Sequence, residues 1–245
     1  MRQNLLTIVQ AFARRTNLPV PNAAVGVQAA EVRQIIALLE EVGEELTSRF
    51  NWPDLQRKAS WTSLATSSQG SVFSLAGADL ERIIPGTFYN ETEREWFEGP
   101  IPLSEWQAYA SGLNPSPTNI FTITNDEILL WPLPAAGDTL SFYWQTSYWI
   151  AGAGDEAGPS AATKATFTSD EDIPIFDVTL LRLGLRYKWK YEKGLPYAED
   201  MRAFEAAAFD KAARGMLKPT LLMAGGPVGP RPAILIPTSS TIPTS

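Results

Sequence analysis

The hydrophobic period of this chain changes twice, and those changes constrain its fold more than any other feature. Up to Phe50, apolar residues recur at helical spacing. Between Leu55 and Ile150 they alternate, and beyond Ile173 the helical spacing returns. A period of about 3.6 gathers apolar residues on one helix face, and a period of 2 gathers them on one strand face. Two helical ends can share a core only if the stranded middle is carried as an insertion between them. The expected fold is therefore α+β. N- and C-terminal helices form a discontinuous bundle (1–53 and 169–218), interrupted by an antiparallel β barrel or sandwich (54–150). A flexible Gly/Ala-rich linker (151–168) and an extended C-terminal arm (219–245) complete the chain.

In the first helical stretch, Leu5, Ile8, Val9 and Phe12 predict a helix over 4–15, ended by Asn17 and Pro19. A longer helix over 27–51 carries the stripe Val32, Ile35, Ile36, Leu39, Val42, Leu46 and Phe50, and Pro53 stops it. Gly43 within it costs about 1 kcal/mol relative to Ala and is expected to permit a close helix crossing. In the middle region, Val72, Phe73, Ser74 and Leu75 are expected to return as a strand after a turn at 67–71. The strongest hairpin signal joins 120–124 to 127–131 across Asn125 and Asp126, two residue types that tolerate the positive φ of a tight turn. Further on, Ser169, Asp170, Glu171 and Asp172 are expected to cap a helix beginning near Ile173. That helix has two apolar stripes, one with Val178, Leu181, Leu185 and Trp189, the other with Phe176, Leu180, Leu183, Tyr187 and Tyr191. Such a helix is buried between neighbours. A last helix spans 197–217, acidic at its start and basic at its end.

The residues that are missing narrow the chemistry. The chain has no cysteine and no histidine. Disulfides, thiol catalysis, thiolate metal sites and a Ser-His-Asp triad are thereby excluded. The commonest general base near neutral pH is gone as well. A formal charge of −7 argues against a broad basic face for nucleic acid. No apolar stretch approaches the roughly 20 residues that span a membrane. The first residues do not read as a signal peptide, so a cytoplasmic site of synthesis is expected.

Several clusters invite a site reading, and each has a plainer one. Asp170, Glu171 and Asp172 do not match a calcium loop and suit a helix start. Glu40, Glu41, Glu44 and Glu45 could supply a carboxylate pair for glycoside cleavage, but they lie off an apolar stripe, where a solvated face is expected. Trp61, Trp96, Trp106, Trp131, Trp144, Tyr148 and Trp149 mostly follow the strand period, as core or subunit-interface residues would. Arg182, Arg186, Lys188, Lys190 and Lys193 suit DNA, or salt bridges to a neighbouring helix or subunit. No phosphate-binding glycine loop is present. No catalytic, cofactor-binding or metal-binding residue is assigned.

The segment 219–245 has Arg231 as its single charged residue and one compact apolar run, Ala233, Ile234, Leu235 and Ile236. It cannot build a core of its own, so it is expected to become ordered on another protein's surface. Leu221, Leu222 and Met223 at its base, with Ile234, Leu235 and Ile236, are the candidate contacts.

Three stretches taken in order carry a resemblance. The first is Ser48-Arg49-Phe50-Asn51-Trp52-Pro53. The second is Asp126-Glu127-Ile128-Leu129-Leu130-Trp131-Pro132-Leu133-Pro134, with Gly137-Asp138-Thr139-Leu140-Ser141-Phe142-Tyr143-Trp144. The third is Tyr187-Lys188-Trp189-Lys190-Tyr191-Glu192, with Phe204-Glu205-Ala206-Ala207. In this order they resemble the head-to-tail adaptor (connector, tail tubular protein A-like) proteins of short-tailed bacteriophages. The resemblance implies a structural virion protein at the head–tail junction, not an enzyme. Its copies would form a ring, commonly a dodecamer, docked beneath the portal protein and lining the DNA exit channel. Genomic DNA would pass through transiently, tail nozzle and fibre proteins would be further partners, and no membrane or cofactor would be involved. Two alternatives stand beside it: a peptidoglycan hydrolase using a carboxylate pair, and a glycan or host-surface binding module on the β insertion.

Overall fold

The computed structural model describes residues 3–112, 119–152 and 162–216. The six candidate arm residues, Leu221, Leu222, Met223, Ile234, Leu235 and Ile236, lie outside the described residues. Helices from the two ends of the chain pack together beside a curled mixed β half-barrel, so the α+β reading holds.

The helical body contains α1 (Leu5–Thr16) and α2 (Ala30–Arg49) from the first part of the chain, and α5 (Val178–Glu192) and α6 (Ala198–Met216) from the last. Local chemistry sets the ends of α1. The Asn4 carboxamide accepts a hydrogen bond from the Thr7 amide at 3.1 Å, and Asn17 closes the helix at φ 57° while donating to the Ala13 carbonyl. The core gathers Leu5, Ile8, Val9, Leu39, Val42, Leu46, Leu181, Leu185 and Phe204. Gly184 marks a close helix crossing, because a Cβ there would lie 2.6 Å from Val42 and 2.9 Å from Phe204. Gly43, expected to play that part, instead faces the Trp149 indole, which fills the space a Cβ would take.

The β body runs β1 (Gln56–Thr62), β2 (Ser68–Ser71), α3 (Val72–Ala76), β3 (Leu80–Ile83), β4 (Tyr89–Asn90), β5 (Glu95–Glu98), α4 (Leu103–Ala110), β6 (Asn119–Thr124), β7 (Glu127–Trp131) and β8 (Thr139–Thr146). Sheet order is β1-β8-β4-β5-β6-β7-β2, with β3 also paired to β8. The β6–β7 hairpin forms as expected, with Thr124 opposite Glu127 and both Asn125 (φ 51°) and Asp126 (φ 63°) left-handed. The ladder is not purely antiparallel: β5 and β6 run parallel, because the connection through α4 brings the chain back in the same direction. The expected strand at Val72 is a short helix. Ser71 pairs with Glu127 at the tip of the hairpin and the Val72 amide donates to the Asp126 carbonyl in the turn at 2.7 Å, so the partner strand ends there. Phe88 is the centre of this core, stacked on Phe121 at 4.7 Å and Phe142 at 5.8 Å and edge-on to Phe97.

A small sheet, β9 (Ile150–Ala151), β10 (Ala162–Lys164) and β11 (Ile173–Pro174), belongs to the helical body. It corrects two expectations. Within the span read as a linker, Ala151 and Ala162 are fully buried and Phe167 packs edge-on against Trp149 at 5.3 Å. The helix expected from Ile173 begins at Val178, capped by Asp177, which accepts from the Thr179 amide at 2.8 Å. Asp170 and Asp172 are used elsewhere. Asp170 accepts from the Ala24 and Val25 amides, and the fully buried Asp172 accepts from the Thr168 and Ser169 amides and from Lys164 Nζ at 2.9 Å.

Gln145 of β8 joins the two bodies. Its Nε2 donates to the Thr47 carbonyl (2.7 Å) and the Phe50 carbonyl (3.0 Å), and its Oε1 accepts from the Trp52 amide (2.7 Å). The last carbonyls of a helix have no partners within it. Here α2 has no glycine cap, and its end is satisfied from outside: Trp52 Nε1 donates to Leu46 O, and Arg82 of β3 donates to Thr47 O and Ser48 O.

Candidate assembly surfaces

The sequence cluster on α5 separates in the structure into two groups with different roles. Successive helix residues are rotated by about 100°, so Arg186 and Lys188 point about 200° apart. Lys188 turns toward α2, where it is nearly buried and sits 2.7 Å from Glu41 and 3.0 Å from Glu45. Burial opposes its charge, but the two carboxylates outweigh burial and hold its pKa above the ordinary lysine value. Tyr187 donates to Glu45 at 2.8 Å, and burial together with that bond pushes the phenol up to about 12. Burial works to raise Glu45, yet the bonds from Tyr187, Lys188 and Arg49 keep it below the usual carboxylate value. These groups form an ionic seam between α2 and α5. In sequence, at about 100° per residue, Lys188 falls about 120° or more around the helix from Arg182, Arg186, Lys190 and Lys193, which share the other side. That spacing is the signal that could have separated it from the other cations.

Arg182, Arg186 and Lys190 turn the other way. With Arg15 of α1 they line a groove of about 420 Å³ whose floor includes Phe12 and Trp189 and whose rim carries the exposed Leu195. Phe12 and Trp189 meet edge-on at 5.6 Å, and Lys193 lies over the Trp189 ring at 4.6 Å. Asp200 pairs with Arg186 and with Lys190, the latter at 2.5 Å. Those cations hold its carboxyl below the usual range against the effect of burial. Arg182 donates to the Gln3 side chain at 2.7 Å. Arg15 and Arg182 have no ion-pair partner among the described residues.

The opposite flank of the bundle is acidic. Glu41, Glu44, Glu45 and Glu81 line a groove of about 660 Å³ together with Lys188. Glu40 is outside this lining, and its carboxylate accepts from the Phe167 amide at 2.8 Å. Burial raises Glu40 above its ordinary value and the neighbouring Glu44 charge adds to that, while the Phe167 amide opposes both. Glu41 and Glu45 neutralise Lys188, and Glu40 receives a loop amide. Glu40 lies outside the groove that Glu41, Glu44, Glu45 and Glu81 share, and of those four Glu41 and Glu45 are engaged by Lys188.

The outer face of the β body has a shallow pocket of about 450 Å³, lined by Tyr89, Trp96, Tyr143 and the Lys58–Glu91 ion pair (2.6 Å). Trp96 is 62% exposed and rests on Tyr89 at 4.6 Å between ring centroids. Of the seven aromatics singled out in sequence, Trp106, Trp144 and Trp149 are buried, as core residues would be. Trp96 is not, because β5 presents it outward.

The model of the SU10 adaptor protein family matches residues 3–231. The chain belongs to that family. The match runs through both bodies, so the helical body, the β body and the Gln145 junction between them are parts of one protein, a structural adaptor of phage. No curated protein matches the chain. Among the described residues, no cluster of Asp, Glu, His or Cys could hold a metal ion, and no helix is long and apolar enough to cross a membrane.

Proposed function

We propose that this chain is a head-to-tail adaptor whose copies form a ring that joins the portal to the tail and lines the DNA exit channel. The observation that carries this reading is the adaptor-family match over residues 3–231. The helical body supplies the ring wall. The 219–245 segment binds the portal through Leu221, Leu222, Met223, Ile234, Leu235 and Ile236, a role that rests on composition: apolar residues in a stretch with a single charge and no core of its own. Leu221, Leu222 and Met223 fall within the family match, and Ile234, Leu235 and Ile236 lie beyond it. The charge of −7 suits a channel that DNA must cross without adhering. Tail nozzle and fibre proteins meet the outward aromatic face at Trp96 and Tyr143, since exposed Trp and Tyr are enriched at interfaces.

Cryo-electron microscopy of the full chain mixed with portal rings from its phage tests the reading. A ring beneath the portal is expected, and a variant lacking 219–245 is expected to stay folded and lose portal binding. Unimpaired binding by that variant would remove the arm assignment, and absence of any ring on the portal would remove the adaptor reading. A glycan-binding role would use the same aromatic face. Retention on a glycan array that Trp96→Ala abolishes would favour it over protein docking there.

A further inference from the structure

The two flanks of the helical bundle carry opposite charge, and they face away from each other across α5. On one side, the outward stripe of α2 (Arg33, Ala37, Glu41, Glu44 and Ser48) is exposed throughout and forms a ridge at i, i+4 and i+3 spacing. At the centre of that ridge Glu41 is paired with Lys188, and Glu44 projects a carboxylate with no cation partner among the described residues. With Glu45 and Glu81 beside them, four carboxylates line the groove of this flank against the single Lys188, and Arg33 is the one cation of the ridge, at its far end. On the other side lies the α1–α5 groove, four cations against the one Asp200 carboxylate, with Phe12 and Trp189 in its floor.

We infer that the acidic ridge of α2 in one copy seats in the basic groove between α1 and α5 of the next copy. This deepens the adaptor reading and rests on it. Three observations fix the occupant as a second copy of this chain. The charges are complementary. The small Ala37 next to Glu41 on the ridge allows a helix to approach a groove closely. The two surfaces differ, one on α2 and the other between α1 and α5, and on α5 Lys188, which meets α2, points about 200° from Arg186, which lines the groove, so the contact is head-to-tail and does not close as a two-fold dimer. A head-to-tail contact of that kind generates rings when its rotation closes. Because the charges are exposed, the contact is expected to weaken as salt shortens the screening length, from about 8 Å at 0.15 M to about 3 Å at 1 M.

The absence of native cysteine gives a direct test. Two full-length variants, Glu44→Cys and Arg15→Cys, change exposed side chains with no ion-pair partner among the described residues, so both are expected to fold as wild type. They are mixed in equal amounts with portal rings and treated with a short bis-maleimide. The expected result is a mixed dimer several-fold more abundant than either homodimer, reduced at 1 M salt. A chain carrying both substitutions is expected to give a ladder beyond the dimer. Homodimers as abundant as the mixed dimer would overturn the inference. So would a ring seen by electron microscopy with no mixed dimer, which would leave the adaptor reading intact. No ring on the portal and no mixed dimer would remove both together.

Discussion

Replacing Gln145 with Ala should uncouple the helical and β bodies, and the cost follows from the partners it leaves. Three hydrogen bonds are lost, two to carbonyls at the end of α2 and one from the Trp52 amide. The Thr47 carbonyl keeps its bond from Arg82 at 2.7 Å, so it is not orphaned. The Trp52 amide and the Phe50 carbonyl have no replacement. Each buried group left without a partner costs about 1–3 kcal/mol. The Phe50 carbonyl is only partly buried and belongs at the low end of that range. The expected loss is therefore about 2–4 kcal/mol, with the side-chain cavity acting in the same direction. For a chain of this size that corresponds to a melting temperature lower by about 5–15 °C. Urea unfolding followed by circular dichroism gives the free energy, and Gln145→Leu, which fills the volume without the polar atoms, separates hydrogen bonding from packing. A Gln145→Ala variant within about 0.5 kcal/mol of wild type, the range of surface substitutions, would refute the view that this side chain holds the bodies together.

Other expectations follow from contacts within the helical body. Gly184→Ala should destabilise by about 1–3 kcal/mol in the same urea assay, because its methyl would meet Val42 and Phe204 in a packed crossing. Asp172 gives a pH signature. Burial pushes its carboxyl up, but Lys164 and the Thr168 and Ser169 amides outweigh burial and hold it below its ordinary value. A depressed acid contributes stability that is present above the unfolded value of about 3.9 and is lost as pH falls through the lower folded value. Wild type should therefore lose stability on acidification below about pH 4, a slope that Asp172→Asn makes shallower while Glu45, Asp177 and Asp200, also depressed, keep the rest, and urea midpoints at pH 3 and pH 6 for the two proteins would show it.

Much of the fold was legible because its determinants are local. The stripe of Leu5, Ile8, Val9 and Phe12 is the buried face of α1, and the Asn125–Asp126 pair turns the β6–β7 hairpin at positive φ as its side-chain chemistry allows. The capping cluster at 169–172 was misread because a carboxylate beside an apolar helix start looks the same whether it caps that helix or a distant loop. Only the fold brings Asp170 to the Ala24 and Val25 amides. The same limit hid Gln145, which alternation places with Ser141 and Tyr143 on the polar side of its strand. It is buried because the end of α2 covers that spot.

The sequence by itself determined the periods, several turn and cap residues, the lack of thiol and imidazole chemistry, and the order of elements that resembles an adaptor. Those properties depend on residues within a turn or two of one another. Tertiary structure decided which residues share a surface. It split the α5 cations between a buried seam with Glu41 and Glu45 and an open groove with Arg15, and it turned the glutamates of α2 into an outward ridge on the other flank. Charge in a sequence has a sign but no direction, and direction comes only when helices distant along the chain pack and leave one side of each to water.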